Sequence, residues 1–307
     1  MSKKLTAVFI LIFTFVSCAG LFVIADIGSK QIVMDMTKNH VENLLKGICN
    51  EVDAYNYSNF ATIHIAATIP VIKDPDVSIK TKAEQLFGVK NADPNLVGLN
   101  ITDLKGNSYL VEGPMYNFSE RAYFKNALQG KETVFGPIIN KVSKVPTIFY
   151  GAPHYDAEGN LINTFFLAAH GEILSKICER SVAGTESQAS IVRRSTGLVI
   201  ASVDPDKVLN ANIFDDSADS EIKDFQKMTA CIGAGESGFS FIKMPDGKLW
   251  ASCYAPIEGT DWSVIVRSEC KGFSDFINSR RLYMLIFSLM MLVTAVAFTL
   301  FLCRKTN

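Results

Sequence analysis

Four histidines, His40, His64, His154 and His170, are the side chains best suited to proton transfer or metal ligation near neutral pH, yet none stands in an HExxH or paired-ligand spacing. The sequence contains no GxSxG nucleophile elbow. Asp156 and Glu158 flank a predicted turn and read most simply as solvated carboxylates, so catalysis has no constellation to rest on. Gly233-Ala234-Gly235-Glu236-Ser237-Gly238 matches GxGxxG letter for letter. That motif cradles a pyrophosphate only between a strand and a following helix, whereas here a helical pattern precedes and a strand pattern follows. Helix termination and a tight turn account for its glycines. The sharpest candidate is Tyr116-Asn117-Phe118-Ser119-Glu120-Arg121-Ala122-Tyr123-Phe124, an arginine among aromatic rings. A guanidinium offers a planar, two-pronged donor set to a carboxylate. The same residues would equally well cap and pack a helix, and both readings stand at this level. Phe149 and Tyr150 are neighbours in a predicted strand, so they face opposite sides, one lining a pocket and the other packing in the core.

The elements that must position these residues lie between two apolar runs. The chain has 307 residues with a net charge of −1, which offers no nucleic-acid surface, and its 20% charged content excludes a disordered or collagen-like chain. Its 48% hydrophobic content is concentrated at the ends. Residues 5–25 and 282–302 are uncharged and long enough to cross a bilayer as helices. Lys3 and Lys4 precede the first run, and Arg304 and Lys305 follow the second. Basic outer flanks predict cytoplasmic termini and an extracytoplasmic middle, in the plasma (inner) membrane, although Arg280 and Arg281 sit on the wrong side for that rule. The first run could instead be a cleaved signal peptide, since Phe15-Val16-Ser17-Cys18 faintly resembles a lipoprotein processing site, but the apolar stretch continues through Ile24. With only Thr306 and Asn307 beyond the second flank, no cytoplasmic output domain is expected in this chain. The seven cysteines match no disulfide scaffold or zinc spacing and read mostly as unpaired thiols.

Between the runs, Ile32, Met36, Leu44, Ile48 and Val52 recur at multiples of four, and no proline precedes Pro70, which predicts a long amphipathic helix over 28–69. Strands are expected over Val97–Thr102, Thr147–Ala152 and Ile162–Ala169, with a helix over Glu120–Leu128 closing at Gly130. A second cycle follows. It has strands at Ala189–Val192 and Leu198–Ser202, a helix from Ser220 to about Cys231, and strands at Gly238–Lys243, Lys248–Tyr254 and Trp262–Val266. Two similar α+β modules in tandem, over 70–182 and 183–268, are the economical reading.

This plan resembles the double Cache (dCache_1-type) sensor domain, the extracytoplasmic input module of bacterial chemoreceptors, sensor kinases and diguanylate cyclases. The matching pieces are GLNITDLKGNSY, ERAYFKNALQGKETVFGPI, PTIFYGAPHYDAEGNLI, ASIVRRSTGLVIASVDP and LWASCYAPIEGTDWSVIV, in the family's order. The resemblance implies a long helix carrying two PAS-like modules with antiparallel sheets, and a ligand held in the membrane-distal one. It is similar in Tyr116–Phe124 to the amino-acid-binding pattern of Tyr, four residues, Arg, one residue, Trp, Tyr. By that match Arg121 grips a ligand carboxylate, with Tyr116, Tyr123 and Phe124 beside it and Phe149 or Tyr150 on a nearby strand. Tyr123 stands for the family's Trp and Phe124 for its Tyr, so one hydroxyl is missing. Where amino-acid binders place an aspartate for the ligand ammonium, LAAHGEIL puts His170. A neutral imidazole lacks the fixed negative charge that an ammonium needs, and a protonated one repels it. A small organic acid is therefore favoured over an α-amino acid, while a structural, hydrogen-bonded role for His170 remains open. The resemblance also implies a homodimer through the long helix, no cofactor and no enzymatic activity. The expected partners are the bilayer, a small-molecule ligand and a signalling protein that reads the ligand's effect. Three other readings remain: an input half cut from a longer chemoreceptor, cyclase or kinase, a stand-alone binding module acting through a partner membrane protein, and, last, an extracytoplasmic hydrolase on an unusual fold.

Overall fold

Absence of proline lets the N-terminal run propagate as one helix. The computed structural model describes residues 3–93, 96–109, 115–140 and 144–304, and in it the first apolar run and the predicted 28–69 helix are a single element, α1 (Lys3–Ala67). Its buried face differs from the expected one. Val41, Leu45, Ile48, Val52, Ile63 and Ala66 are buried, whereas Ile32 and Met36 are exposed. Four residues turn a helix about 40° past a full revolution, so positions at multiples of four drift off any one face. Alternating steps of three and four hold the stripe.

Pro70 opens a single turn, α2 (Pro70–Lys73). Ser78 caps α3 (Ile79–Ala92) by accepting a hydrogen bond from the Thr81 N–H at 3.2 Å. Then come β1 (Leu96–Thr102), β2 (Asn107–Tyr109), β3 (Met115–Asn117), α4 (Ala122–Leu128), β4 (Thr133–Ile139), β5 (Pro146–Tyr155) and β6 (Leu161–His170). Strands β1, β6, β5 and β4 form a four-stranded antiparallel sheet in that order, and β2 pairs with β3 separately. Two turns share the sequence Asp-x-x-Gly-Asn. In each, the aspartate accepts from backbone N–H groups, Asp103 from Lys105 at 2.9 Å and Asn107 at 2.8 Å, Asp156 from Glu158 at 3.0 Å and Asn160 at 2.7 Å. Asp156 is thus a turn-closing acceptor rather than a merely solvated carboxylate. Hydrogen bonds led by the Asn160 side chain hold its pKa below the usual carboxylate value.

Helix α5 (Glu172–Val182) leads to the second cycle: β7 (Ser187–Arg193), β8 (Val199–Ser202), α6 (Ile213–Ala218), α7 (Lys223–Gly233), β9 (Gly238–Lys243), β10 (Leu249–Ile257) and β11 (Trp262–Glu269). The five strands are ordered β8-β7-β11-β10-β9. The fold is α+β with a long N-terminal helix and antiparallel sheets. The sequence reading missed α2, α3, α5, α6, β2, β3 and β4.

By contacts the chain divides into a larger unit, Val41–Ile242 with Ser252–Ser268, and a smaller one, Met1–His40 with Lys243–Ala251 and Glu269–Asn307. The larger unit holds the main core, in which the α1 stripe joins Ile101, Ile148, Tyr150 and Leu167 of the first sheet and Ile191 and Val264 of the second. Two polar side chains interrupt the α1 stripe. Asn56 accepts from the Tyr150 hydroxyl at 2.8 Å, and Asn59 donates to the Tyr55 carbonyl at 2.9 Å.

The smaller unit contains the last helix, α8 (Lys271–Arg304). By length and composition Ile12–Ala67 and Arg281–Leu300 are helices able to cross a membrane. Phe13, Phe15 and Ile24 on α1, and Leu285, Phe287 and Leu289 on α8, are exposed. Arg281, on the unfavoured side of its apolar run, makes a two-pronged pair with Asp26, Nε to Oδ1 at 2.8 Å and Nη2 to Oδ2 at 3.2 Å. The pair neutralises Arg281, one of the two arginines at that end of the run. Lys305, Thr306 and Asn307 lie outside the described residues.

Candidate functional site

The two faces of the first sheet have different chemistry, because strand side chains alternate and cross-strand partners share a face. Phe149 pairs with Ala168 and Phe135, and Gly151 pairs with Phe166. This face is covered by α4. A Cβ on Gly151 would lie 2.7 Å from the Tyr123 carbonyl oxygen and 2.8 Å from its Cβ, so the absence of a side chain there lets α4 sit directly on the strand.

An aromatic shelf results. The Tyr123 ring stacks on Phe149 with centroids 5.6 Å apart and planes 10° apart, and leans on Phe166 at 5.6 Å. Phe118 lies 4.6 Å from Phe166, and Tyr116 continues the row at 6.5 Å from Phe118. Phe124 is buried in the same cluster, while Tyr116 is exposed. The row is held in place from below. Gly106, at φ +83°, accepts from the Phe118 N–H at 2.8 Å, and a Cβ on it would lie 2.6 Å from Ser119 N. Asn117 locks the same corner by donating to the Lys105 carbonyl at 3.0 Å and accepting from the Ser119 hydroxyl at 2.6 Å.

Arg121 occupies the N-cap of α4 in an extended conformation, yet its side chain makes no capping hydrogen bond. Its backbone does the work, accepting from Lys125 N–H at 3.0 Å and donating to the Phe118 carbonyl at 2.9 Å. The residue is exposed. Burial pushes the Tyr123 phenol up to about 12, against the opposing pull of the Arg121 charge. Among the described residues no ion pair or hydrogen bond holds the Arg121 side chain, and a two-pronged cation so exposed can take a carboxylate.

His170 is half-buried at the end of β6, on the face shared by Phe166 and Ala168, and pairs across the strand with Thr147. Among the described residues no hydrogen bond or ring contact joins it to Arg121. Tyr150 lies on the opposite face, fully buried, with its hydroxyl on Asn56 and its ring edge-on to Phe60 at 5.3 Å. Of the adjacent pair, Phe149 therefore faces the shelf and Tyr150 the core. Burial raises the Tyr150 phenol well above its ordinary pKa.

Sequence reasoning missed Phe166, which sits at the centre of the shelf, and the small-residue floor of Gly98 and Ala168 bordered by the buried Asn100. Alternation in Leu161–His170 was the available signal, but it divides the strand into two faces without saying which one α4 covers. The GxGxxG segment joins α7 to β9, a helix-to-strand order. The six cysteines whose side chains are described are free, and burial pushes the thiols of Cys178 and Cys253 up to about 12.

The Cache domain family model matches residues 26–271. No curated protein sequence matches the chain. Among solved structures, the sensory domain of the Campylobacter jejuni chemoreceptor Tlp3 with isoleucine bound is 15% identical, with a TM-score of 0.60, covering 81% of this chain and 98% of that one. The ligand-binding domain of the Pseudomonas fluorescens chemoreceptor CtaA in complex with L-isoleucine is 14% identical at a TM-score of 0.58, covering 80% and 98%. An extracellular ligand-binding receptor from Desulfohalobium retbaense is 13% identical at 0.55. There the match takes in 73% of this chain but only 39% of the receptor. At these identities the likeness concerns the fold, and the family match spans most of the sequence. The chain belongs to the Cache domain family.

Proposed function

We propose that the chain is a membrane-anchored, extracytoplasmic sensor that binds a small carboxylate-bearing solute on the first sheet and passes the event across the membrane by helix movement. The observation that carries this reading is Arg121, whose exposed side chain makes no capping bond at the start of the helix that sets Tyr123 on Phe149 and Phe166. In this reading residues 70–182 are the membrane-distal, ligand-binding module and 183–268 the proximal one. Residues 5–25 and 282–302 are the spans, with both termini cytoplasmic. Tyr116, Tyr123, Phe124 and Phe149 form walls, and His170 contributes from β6. A homodimer through α1 is supported by an exposed stripe, Asn43, Gly47, Asn50, Ala54 and Tyr57, which carries no charge and allows close approach. Ligand biases the assembly only by its differential affinity for two states. The bias is read by a partner signalling protein or by a cytoplasmic domain of a longer receptor.

A small organic acid is the preferred ligand, because His170 provides no fixed negative charge for an ammonium group. An α-amino acid is the second reading, favoured by the isoleucine held in the Tlp3 and CtaA structures. A thermal-shift screen of the detergent-solubilised chain against organic acids, amino acids, amines, purines and sugars separates the two, with Arg121→Ala as control. A ligand at ~100 times its Kd adds about 2.7 kcal/mol to stability. Stabilisation of the wild type and not of the variant supports the Arg121 site. An equal response in both makes Arg121 structural.

A further inference from the structure

The opposite face of the first sheet holds a second polar group that the reading above leaves unused. Among the described residues Lys82, on α3, is the one Lys, Arg, Asp or Glu that is buried, with 2% of its surface exposed. Its ammonium donates to Asn163 Oδ1 at 3.0 Å. The Asn163 Nδ2 donates to the Thr102 carbonyl at 3.1 Å, which fixes the amide with its oxygen toward the lysine. An ammonium has three donors, and among the described residues no carboxylate forms an ion pair with this one. The acids nearby are engaged elsewhere: Asp74 accepts from Asp76 N–H at 2.9 Å, and Asp103 closes its turn through Lys105 and Asn107. His154, the cross-strand neighbour of Asn163, is 4% exposed, and neither ring nitrogen makes a hydrogen bond of good geometry. Such groups carry a desolvation cost unless something answers them.

Next to them opens a cavity of about 380 Å³, whose lining includes Pro75, Val77, Leu104 and Ile162 together with Lys82, Asn163 and Asp103. That volume lies within the range of small-molecule sites. We propose that this cavity binds a short-chain monocarboxylate, with its carboxylate on the Lys82 ammonium and its alkyl end against the apolar wall. The chemistry of the lining selects the class. One point charge with a single fixed amide neutralises a monoanion, whereas a phosphate dianion would leave a charge and several acceptors unanswered beside Asp103. A sugar would set hydroxyls against Pro75, Val77 and Ile162. The site is separate from the Arg121 shelf, because Asn163 and His154 share the face of Phe165 and Tyr150 rather than that of Phe166 and Phe149.

The test is calorimetric titration of the detergent-solubilised full chain with sodium propionate and, separately, sodium phosphate. Propionate is expected to bind the wild type, and about 10- to 100-fold more weakly to Lys82→Met, the loss of a charge-assisted hydrogen bond. Because the shelf is itself read as an organic-acid site, the comparison is made in the Arg121→Ala background, where propionate should still bind and Lys82→Met should still weaken it. Leu104→Trp narrows the cavity from an exposed position and should also weaken binding, and it carries the test if Lys82→Met melts too early to titrate. Absence of propionate binding, equal affinity in Lys82→Met and Leu104→Trp, or phosphate binding as tight as propionate would overturn the proposal. Loss in Arg121→Ala with retention in Lys82→Met would overturn it as well, while leaving the shelf reading in place.

Discussion

Arg121 commits its backbone, and not its side chain, to starting α4, so the guanidinium can be removed without taking away a cap. For a carboxylate that binds on the shelf, Arg121→Ala should raise Kd about 10- to 100-fold. Arg121→Lys should recover only part of this, because an ammonium lacks the planar fork. Calorimetry on both variants checks the pair. Tyr150 makes the converse case. Tyr150→Phe removes the donor to Asn56 and leaves a buried oxygen unpaired, which should cost about 1–3 kcal/mol by urea denaturation. Its ligand response should be unchanged. His154 supplies a pH signature. Burial, then the Lys82 charge, hold its pKa below 6.5, outweighing the Ala67 carbonyl and the Asn163 amide. The unfolded chain therefore takes up a proton near pH 6.5 that the native state does not. This contribution to stability is complete above that pH and declines as pH falls below it. In His154→Phe the melting temperature should fall less steeply between about pH 7 and 5 than in the wild type, and an identical slope would remove His154 from the account.

At the scale of elements, the shelf depends on how closely α4 approaches β5. Gly151→Ala places a methyl group 2.7 Å from the Tyr123 carbonyl oxygen, so the helix must move off the sheet. Overpacking of this kind costs about 1–3 kcal/mol. Shelf ligands should also bind more weakly, since Tyr123 and Phe149 would no longer stack as they do. A variant that loses stability and keeps full affinity would show that the spacing of α4 does not shape the site. Much of the element plan could be read in the chain. β9 begins and ends where the turn signals place it, and β1, β6 and α4 differ from expectation by one or two residues at an end. Helix α3 escaped notice because Lys80, Lys82, Glu84, Gly88 and Lys90 interrupt any apolar stripe. Strand β4 escaped because Gly136 and Pro137 lie inside it and read as a turn.

For the whole molecule, two apolar helices bracketing a Cache domain predict a protein with its middle on one side of the membrane. Protease added to intact spheroplasts should cleave within residues 26–271 and leave tags at both ends protected. Digestion of either tag would overturn the two-span topology. The pairing of Asp26 with Arg281 adds a finer expectation. Asp26→Ala takes the Asp26 partner from Arg281 beside the second apolar run, and the orientation of that run, read by the same protease assay, should become less uniform.

What is local along the chain was legible without coordinates. Apolar run length, helix periodicity, turn residues and the order of strands and helices depend on neighbours in sequence, and with the family likeness they led to the Cache family. What required the folded chain was the meeting of residues far apart in sequence. Tyr123 meets Phe149 and Phe166, Tyr150 turns from the shelf to Asn56, and Lys82 finds Asn163. Strand alternation says only that neighbours face apart. Which face receives a helix, and which buries a charge, is decided when α1, α3 and α4 pack against the sheet, because the free energy of burial belongs to surfaces that exist only after folding.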